Sequence, residues 1–271
     1  MNDEQALVVA LSLTSTFAAG LAVDRVEGPA AIGRRHMAML VLASGVALPL
    51  FAIVLDRWLA LGVAGLGLVI ASASPGGSTG PLLAVIGRGD ATTATRMFVV
   101  ATLFGTLTAI AVLVARDAFA PEMIVRATTI VLAFSLAPLA LGVALRRWQP
   151  SWARMLGPPS ARLGVVLLVA TVGLLCVRHA ESADALDLVI AAVLVLCSLA
   201  PVLFVRGRAQ QIAVAQVSAV HNLALAMLVL AALDVPARAT IAVLAYGLVM
   251  YIVATGIAVV SRLRAPSGAR G

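Results

Sequence analysis

Ser74-Pro75-Gly76-Gly77-Ser78-Thr79-Gly80-Pro81 interrupts a stretch, 58–86, that is otherwise almost entirely apolar. Proline has no amide N–H and clashes with the preceding helical turn, while glycine lets the backbone leave helical geometry. In hydrocarbon each freed backbone group costs several kcal/mol, so irregular chain at that depth survives only where protein or a wet cavity satisfies it. The stretch therefore predicts a broken membrane helix rather than a merely kinked one.

The rest of the chain supplies the membrane setting. Of 271 residues, 62% are hydrophobic and 11% charged, and the mean hydropathy is +1.08. Soluble domains carry about 25% charged residues. Apolar stretches fall at 5–23, 37–55, 58–86, 91–115, 123–145, 161–178, 186–205, 209–233 and 236–262. Most have the roughly 20 residues a helix needs to cross about 30 Å of hydrocarbon. The expected fold is an all-α integral membrane protein of about nine spans, 1–271 forming a single membrane domain with no room for a soluble catalytic domain.

Charge orients it. All nineteen basic residues are arginine, scattered in short loops without a basic run, which argues against nucleic acid as a partner. With the C-terminus cytoplasmic, fourteen of them fall inside, leaving only Arg57, Arg116, Arg126, Arg178 and Arg238 outside. The positive-inside rule then places the N-terminus outside and the C-terminus in the cytoplasm. Met1-Asn2-Asp3-Glu4 is acidic where a signal peptide is basic, so the first stretch is expected to be retained as a span. Trp148 and Trp152, beside Arg146 and Arg147, suit an interfacial belt. Cys176 and Cys197 lie in separate apolar stretches, without disulfide or metal-ligand spacing. No cofactor is expected.

The eighth stretch carries a second polar interruption, Gln216-Val217-Ser218-Ala219-Val220-His221-Asn222. His221 is the one histidine of three inside a span, and no Asp, Glu or Arg sits at the centre of any span. Imidazole and carboxamide at mid-membrane mark a functional-site candidate. The two breaks occupy matching places: spans two to four contain Pro49, a break, then an uninterrupted span, and spans seven to nine contain Pro201, a break, then an uninterrupted span. The first triplet starts inside and the second outside, so the repeats are inverted. Paired broken helices in inverted repeats point to a transporter's midplane site. Half-helix N-termini aimed at that point favour an anion held by backbone N–H groups. The expected substrate-binding residues are Pro75, Gly76, Gly77, Ser78, Thr79, His221 and Asn222.

With these motifs the chain resembles the bile acid:sodium symporter family. The resemblance rests on Pro75-Gly76-Gly77 followed by Gly89-Asp90, on Pro138 and Gly142 ahead of Arg146-Arg147, and on His221-Asn222-Leu223-Ala224-Leu225-Ala226, similar to the family's Gln-Asn-x-x-Leu-Ala stretch. It covers nearly the whole chain. It implies ten spans in two inverted five-span repeats, here without the opening helix. Core helices would be 37–115 and 186–262, moving against panel helices 5–23, 123–145 and 161–178. The family's sodium ligands are not matched: Gly80 and Pro81 stand for Ser and Asn, Ala94 and Phe98 for Ser and Thr, Val217 for Glu, and His221 for Gln. The ion sites therefore look dismantled while the anion cradle survives.

The sequence thus predicts a secondary transporter of a small organic anion, a carboxylate or sulfonate, working by alternating access without conventional sodium coupling. His221 is the proton-coupling candidate, since histidine titrates near neutral pH. The arginine-only, alanine-rich composition points to a bacterial source and so to the cell inner membrane. Two alternatives stand beside this reading. One is a transport-inactive membrane sensor or subunit of the same fold. The other is an arsenite-type efflux carrier, although such carriers have a thiol where this chain has Ser74. An intramembrane enzyme would need paired carboxylates, a histidine cluster or a Ser/His dyad, which the spans do not offer.

Overall fold

The computed structural model describes residues 3–22, 32–115, 120–179 and 184–264. Among these the chain is helical and forms no strand. It runs as α1 (Asp3–Leu21), α2 (Arg34–Leu42), α3 (Leu48–Leu59), α4 (Val63–Ser72), α5 (Gly80–Ile86), α6 (Ala91–Ala115), α7 (Pro121–Val131), α8 (Ala137–Trp148), α9 (Pro150–His179), α10 (Ala185–Ser198), α11 (Arg208–Ala219), α12 (Leu223–Leu233) and α13 (Ala237–Leu263). Five helical segments among the described residues are long and apolar enough to cross a membrane: Arg35–Leu59, Ala91–Val112, Pro121–Trp148, Ala185–Phe204 and Ala237–Leu263. The first joins α2 to α3 through a π-turn at Ala43–Ala47, and the third joins α7 to α8 through another at Leu132–Leu136. Each π-turn leads directly into a segment with proline in its first turn, Pro49 or Pro138. The missing N–H thus falls where the helical ladder already changes register.

The exterior is what a bilayer requires. Leu50, Val54, Val166, Val169, Leu196 and Ile252 are each more than half exposed, a pattern that water would penalise as a continuous apolar surface. The interior is built from the short helices. α4 is buried from Ala64 to Ser72, and α12 at every position but Ala231, as expected of helices that are apolar all round. At 10 and 11 residues each covers about half of a 30 Å hydrocarbon layer.

Close backbone approaches tie the bundle together. α1 packs on α8 and α9; a Cβ on Gly142 would sit 2.5 Å from the Phe17 carbonyl. α4 packs on α13, where a side chain on Gly67 would collide with the Ala239 carbonyl. Small residues at such crossings let backbones meet at van der Waals distance.

Two details depart from the sequence reading. The segment 146–160, expected as a loop, is helical for most of its length because α9 begins at Pro150 and carries Pro158 and Pro159 within it. The second interruption is also narrower than expected: Gln216 to Ala219 are the last turn of α11, and only 220–222 leave the helix. Several residues used in the orientation argument, among them Arg25, Arg116 and Arg270, lie outside the described residues, as does the side chain of Cys176.

Candidate functional site

The two interruptions meet. α4 ends at Ser72 and α5 begins at Gly80; α11 ends at Ala219 and α12 begins at Leu223. Between them the extended segments form an antiparallel bridge at Pro75 and His221. It is closed by Gly77 N–H donating to the Val220 carbonyl at 2.9 Å and Asn222 N–H donating to the Ser74 carbonyl at 2.6 Å. Backbone groups that would each cost several kcal/mol in hydrocarbon are thus satisfied by the other break. Pro75, with no N–H, brings no donor that would need a partner.

Glycine is required here for two separate reasons. Gly76 has φ of +85°, a conformation L side chains rarely adopt. A Cβ on Gly77 would lie 2.5 Å from the His221 carbonyl, so the crossing is too tight for any side chain there. α6 supports the first break from behind. Thr102 Oγ1 donates to the Gly76 carbonyl at 3.2 Å and Thr108 Oγ1 to the Ala73 carbonyl at 3.0 Å. Between them, a Cβ on Gly105 would be 2.7 Å from the Pro75 carbonyl.

The second break relies on polar side chains. Asn222 caps α12, its Oδ1 accepting from Leu225 N–H at 3.0 Å. His221 is fully buried. Its Nδ1 lies 3.2 Å from the Ala219 carbonyl and 3.1 Å from the Tyr246 hydroxyl, with the two rings edge to face at 5.4 Å. Its Nε2 has no partner among the described residues. Gln216 donates through Nε2 to the Ala254 carbonyl at 2.9 Å.

Beside the bridge lies a cleft of about 20 Å³, room for about one water molecule. Gly77, Ser78, Thr79, His221 and Asn222 form one wall; Leu11 and Ser15 of α1, Gly164 of α9 and Tyr251 of α13 form the others. Thr79 Oγ1 and the Tyr251 hydroxyl are 3.2 Å apart across it. Among the described residues no Asp, Glu or Arg side chain lines it.

Of the seven expected site residues, five line this cleft, while Pro75 and Gly76 shape the bridge behind it. The helix N-termini are less open than expected. Gly80 N–H donates to the Gly77 carbonyl and Leu225 N–H to Asn222 Oδ1. Sequence reasoning missed Tyr246, Tyr251, Ser15 and the Thr102, Gly105, Thr108 brace. A signal existed for two of these groups. The chain's two tyrosines both fall in its last span, and Thr102, Gly105 and Thr108 recur every third residue, which places them along one side of α6.

Three of the positions that the resemblance would make sodium ligands have no side-chain oxygen to offer. Ala94, Phe98 and Val217 are buried together in one apolar cluster with Met97, Ala213 and Val214. No family model matches the chain, and no curated protein matches it.

Proposed function

We propose that the protein is a secondary transporter of a small organic anion, of carboxylate or sulfonate type, that works by alternating access. The supporting observation is the bridge between two interrupted helices, flanked by a neutral cleft whose opposite wall comes from α1 and α9. Nine membrane passes, with the pairs α4/α5 and α11/α12 each counted as one broken span, follow from this reading, as do two inverted repeats. The pairing of broken helices across a pseudo-symmetric core is the arrangement that places a substrate at the membrane midplane.

Ser78, Thr79, Tyr251, Ser15 and Asn222 offer neutral donors to the anion. His221 meets the Ala219 carbonyl and the Tyr246 hydroxyl through Nδ1, and its Nε2 is without a partner among the described residues. At about one water in size the cleft is too small for an organic anion in this conformation. Admission of substrate requires α1 and α9 to move away from the bridge.

Sodium coupling is not part of the proposal. Sodium needs several oxygen ligands, and the matching positions present the methyl of Ala94, the ring of Phe98 and the isopropyl of Val217 to an apolar cluster. We assign coupling to protons through His221, the titratable ring at the bridge. Anion uptake into proteoliposomes checks this. Uptake should be saturable, indifferent to replacing sodium with potassium, accelerated by an inward proton gradient, and stripped of that acceleration in His221→Gln. Uptake insensitive to the gradient refutes the coupling assignment; ligand binding without any flux favours a sensor of the same fold.

A further inference from the structure

Beside the last turns of α13, a groove of about 400 Å³ opens between α11 and α13, within the range of small-molecule sites. Val202, Ile212, Ile257 and Val260 give it an apolar wall, Gln211 and Ser261 are the uncharged polar residues in its lining, and its rim carries Arg208 and Arg264. Two apolar spans, Ala185–Phe204 and Ala237–Leu263, end beside it. The rim therefore lies at headgroup level and the walls in the hydrocarbon. Leu203, Phe204 and Leu263 are 85%, 63% and 78% exposed around it.

Arg208 ties α11 to the end of α13. Its two terminal nitrogens donate to the Arg264 and Ser261 carbonyls, each at 3.1 Å. A guanidinium has five N–H groups, so donors remain for an anion on the groove side. Arg206 and Arg262 flank the rim in sequence, and both are exposed. One acid, Asp90, meets the start of α11 through its backbone, its N–H donating to the Ala209 carbonyl while its carboxylate accepts from Thr93 N–H. It caps α6 and is absent from the groove lining.

We propose that this groove binds an anionic phospholipid, its phosphate on Arg208 and Arg264 and one acyl chain along Ile212, Ile257 and Val260. Charge complementarity selects this occupant. A basic rim at headgroup depth over an apolar wall in the acyl region suits a phosphatidyl anion and offers nothing further to a zwitterionic lipid. The site is separate from the cleft at the helix crossing and does not depend on how that cleft is read.

Native mass spectrometry of the detergent-purified protein, with phosphatidylglycerol and phosphatidylcholine added in equal amounts, tests it. The wild type should retain phosphatidylglycerol over phosphatidylcholine on the order of 20-fold, about fivefold per arginine. Arg264→Gln should lower that ratio about fivefold, and Arg57→Gln, which does not line the groove, should leave it unchanged. Val260→Trp, which fills the apolar wall and spares both arginines, should abolish selective retention. Since Arg208→Gln also loosens α11 from α13, Arg264→Gln and Val260→Trp carry the test. Equal retention of the two lipids overturns the proposal, as does a ratio indifferent to both variants. Displacement of the lipid by millimolar inorganic phosphate also overturns it, because the groove would then recognise the free anion.

Discussion

The two breaks that meet at the centre of the molecule are built by opposite means. The first, from Ala73 to Thr79, is made of residues chosen for what they lack: Pro75 without an N–H, Gly76 at φ +85°, Gly77 with no room for a Cβ. Its supports come from outside, from Thr102 and Thr108 of α6. The second, Val220 to Asn222, is short and held by what its side chains supply. Asn222 caps α12 and His221 meets Tyr246. The difference is physical. A long unwound segment needs backbone freedom and borrowed donors, whereas a three-residue gap between two helix ends can be closed by one cap and one ring.

This contrast orders the expected mutational effects. Gly77→Ala should be the most damaging, because the new methyl meets backbone rather than a mobile side chain. We expect a loss of more than about 3 kcal/mol, read as collapse of the thermal transition in detergent. If Gly77→Ala unfolds normally, the crossing is looser than described. Asn222→Ala removes a cap and should lower stability by about 1 to 2 kcal/mol, while Asn222→Ser, which keeps an oxygen in capping position, should recover most of it. Equal losses for both variants would mean that the carboxamide serves something other than the cap. Tyr246→Phe deletes one hydrogen bond to the buried ring, for about 1 kcal/mol. Tyr251→Phe removes the Thr79 contact across the cleft and should have the smallest effect on melting, about 0.5 kcal/mol. Because that contact bridges the cleft, the same variant should open it more readily, seen as faster hydrogen exchange of 77–80.

How far the sequence foretold this differs between the two breaks for the same reason. The first was legible because proline and adjacent glycines disrupt a helix through their own backbones, whatever surrounds them. For the second, polarity marks 216–222, whereas only 220–222 leave the helix. Gln216 and Ser218 look like helix breakers by polarity, yet both stay in α11, Gln216 donating through Nε2 to the Ala254 carbonyl of α13. Ser15, which reaches the site from α1, is not visible in the sequence because nothing local marks a side chain for a cleft formed by packing. The π-turns ahead of Pro49 and Pro138 were likewise hidden, since a skipped hydrogen bond changes no residue type.

The lack of Asp, Glu and Arg among the residues described around the cleft is, by contrast, what uncharged span centres predict. Away from the cleft, Ala94, Phe98 and Val217 pack in an apolar cluster. The residues that line the cleft and those of that cluster do not overlap.

Everything proposed for the cleft depends on an anion binding where the two breaks cross. A thermal-shift titration of the purified protein against small carboxylates and sulfonates, in sodium and in potassium, decides that point, since a ligand bound only to the folded form raises stability with occupancy. At least one such anion should raise the melting temperature saturably and equally in both cations. Ser78→Leu, a substitution at an exposed position of the cleft wall, should abolish the shift. No response to any anion, or a response that survives Ser78→Leu, would contradict binding at the crossing; a response that requires sodium would contradict its sodium independence.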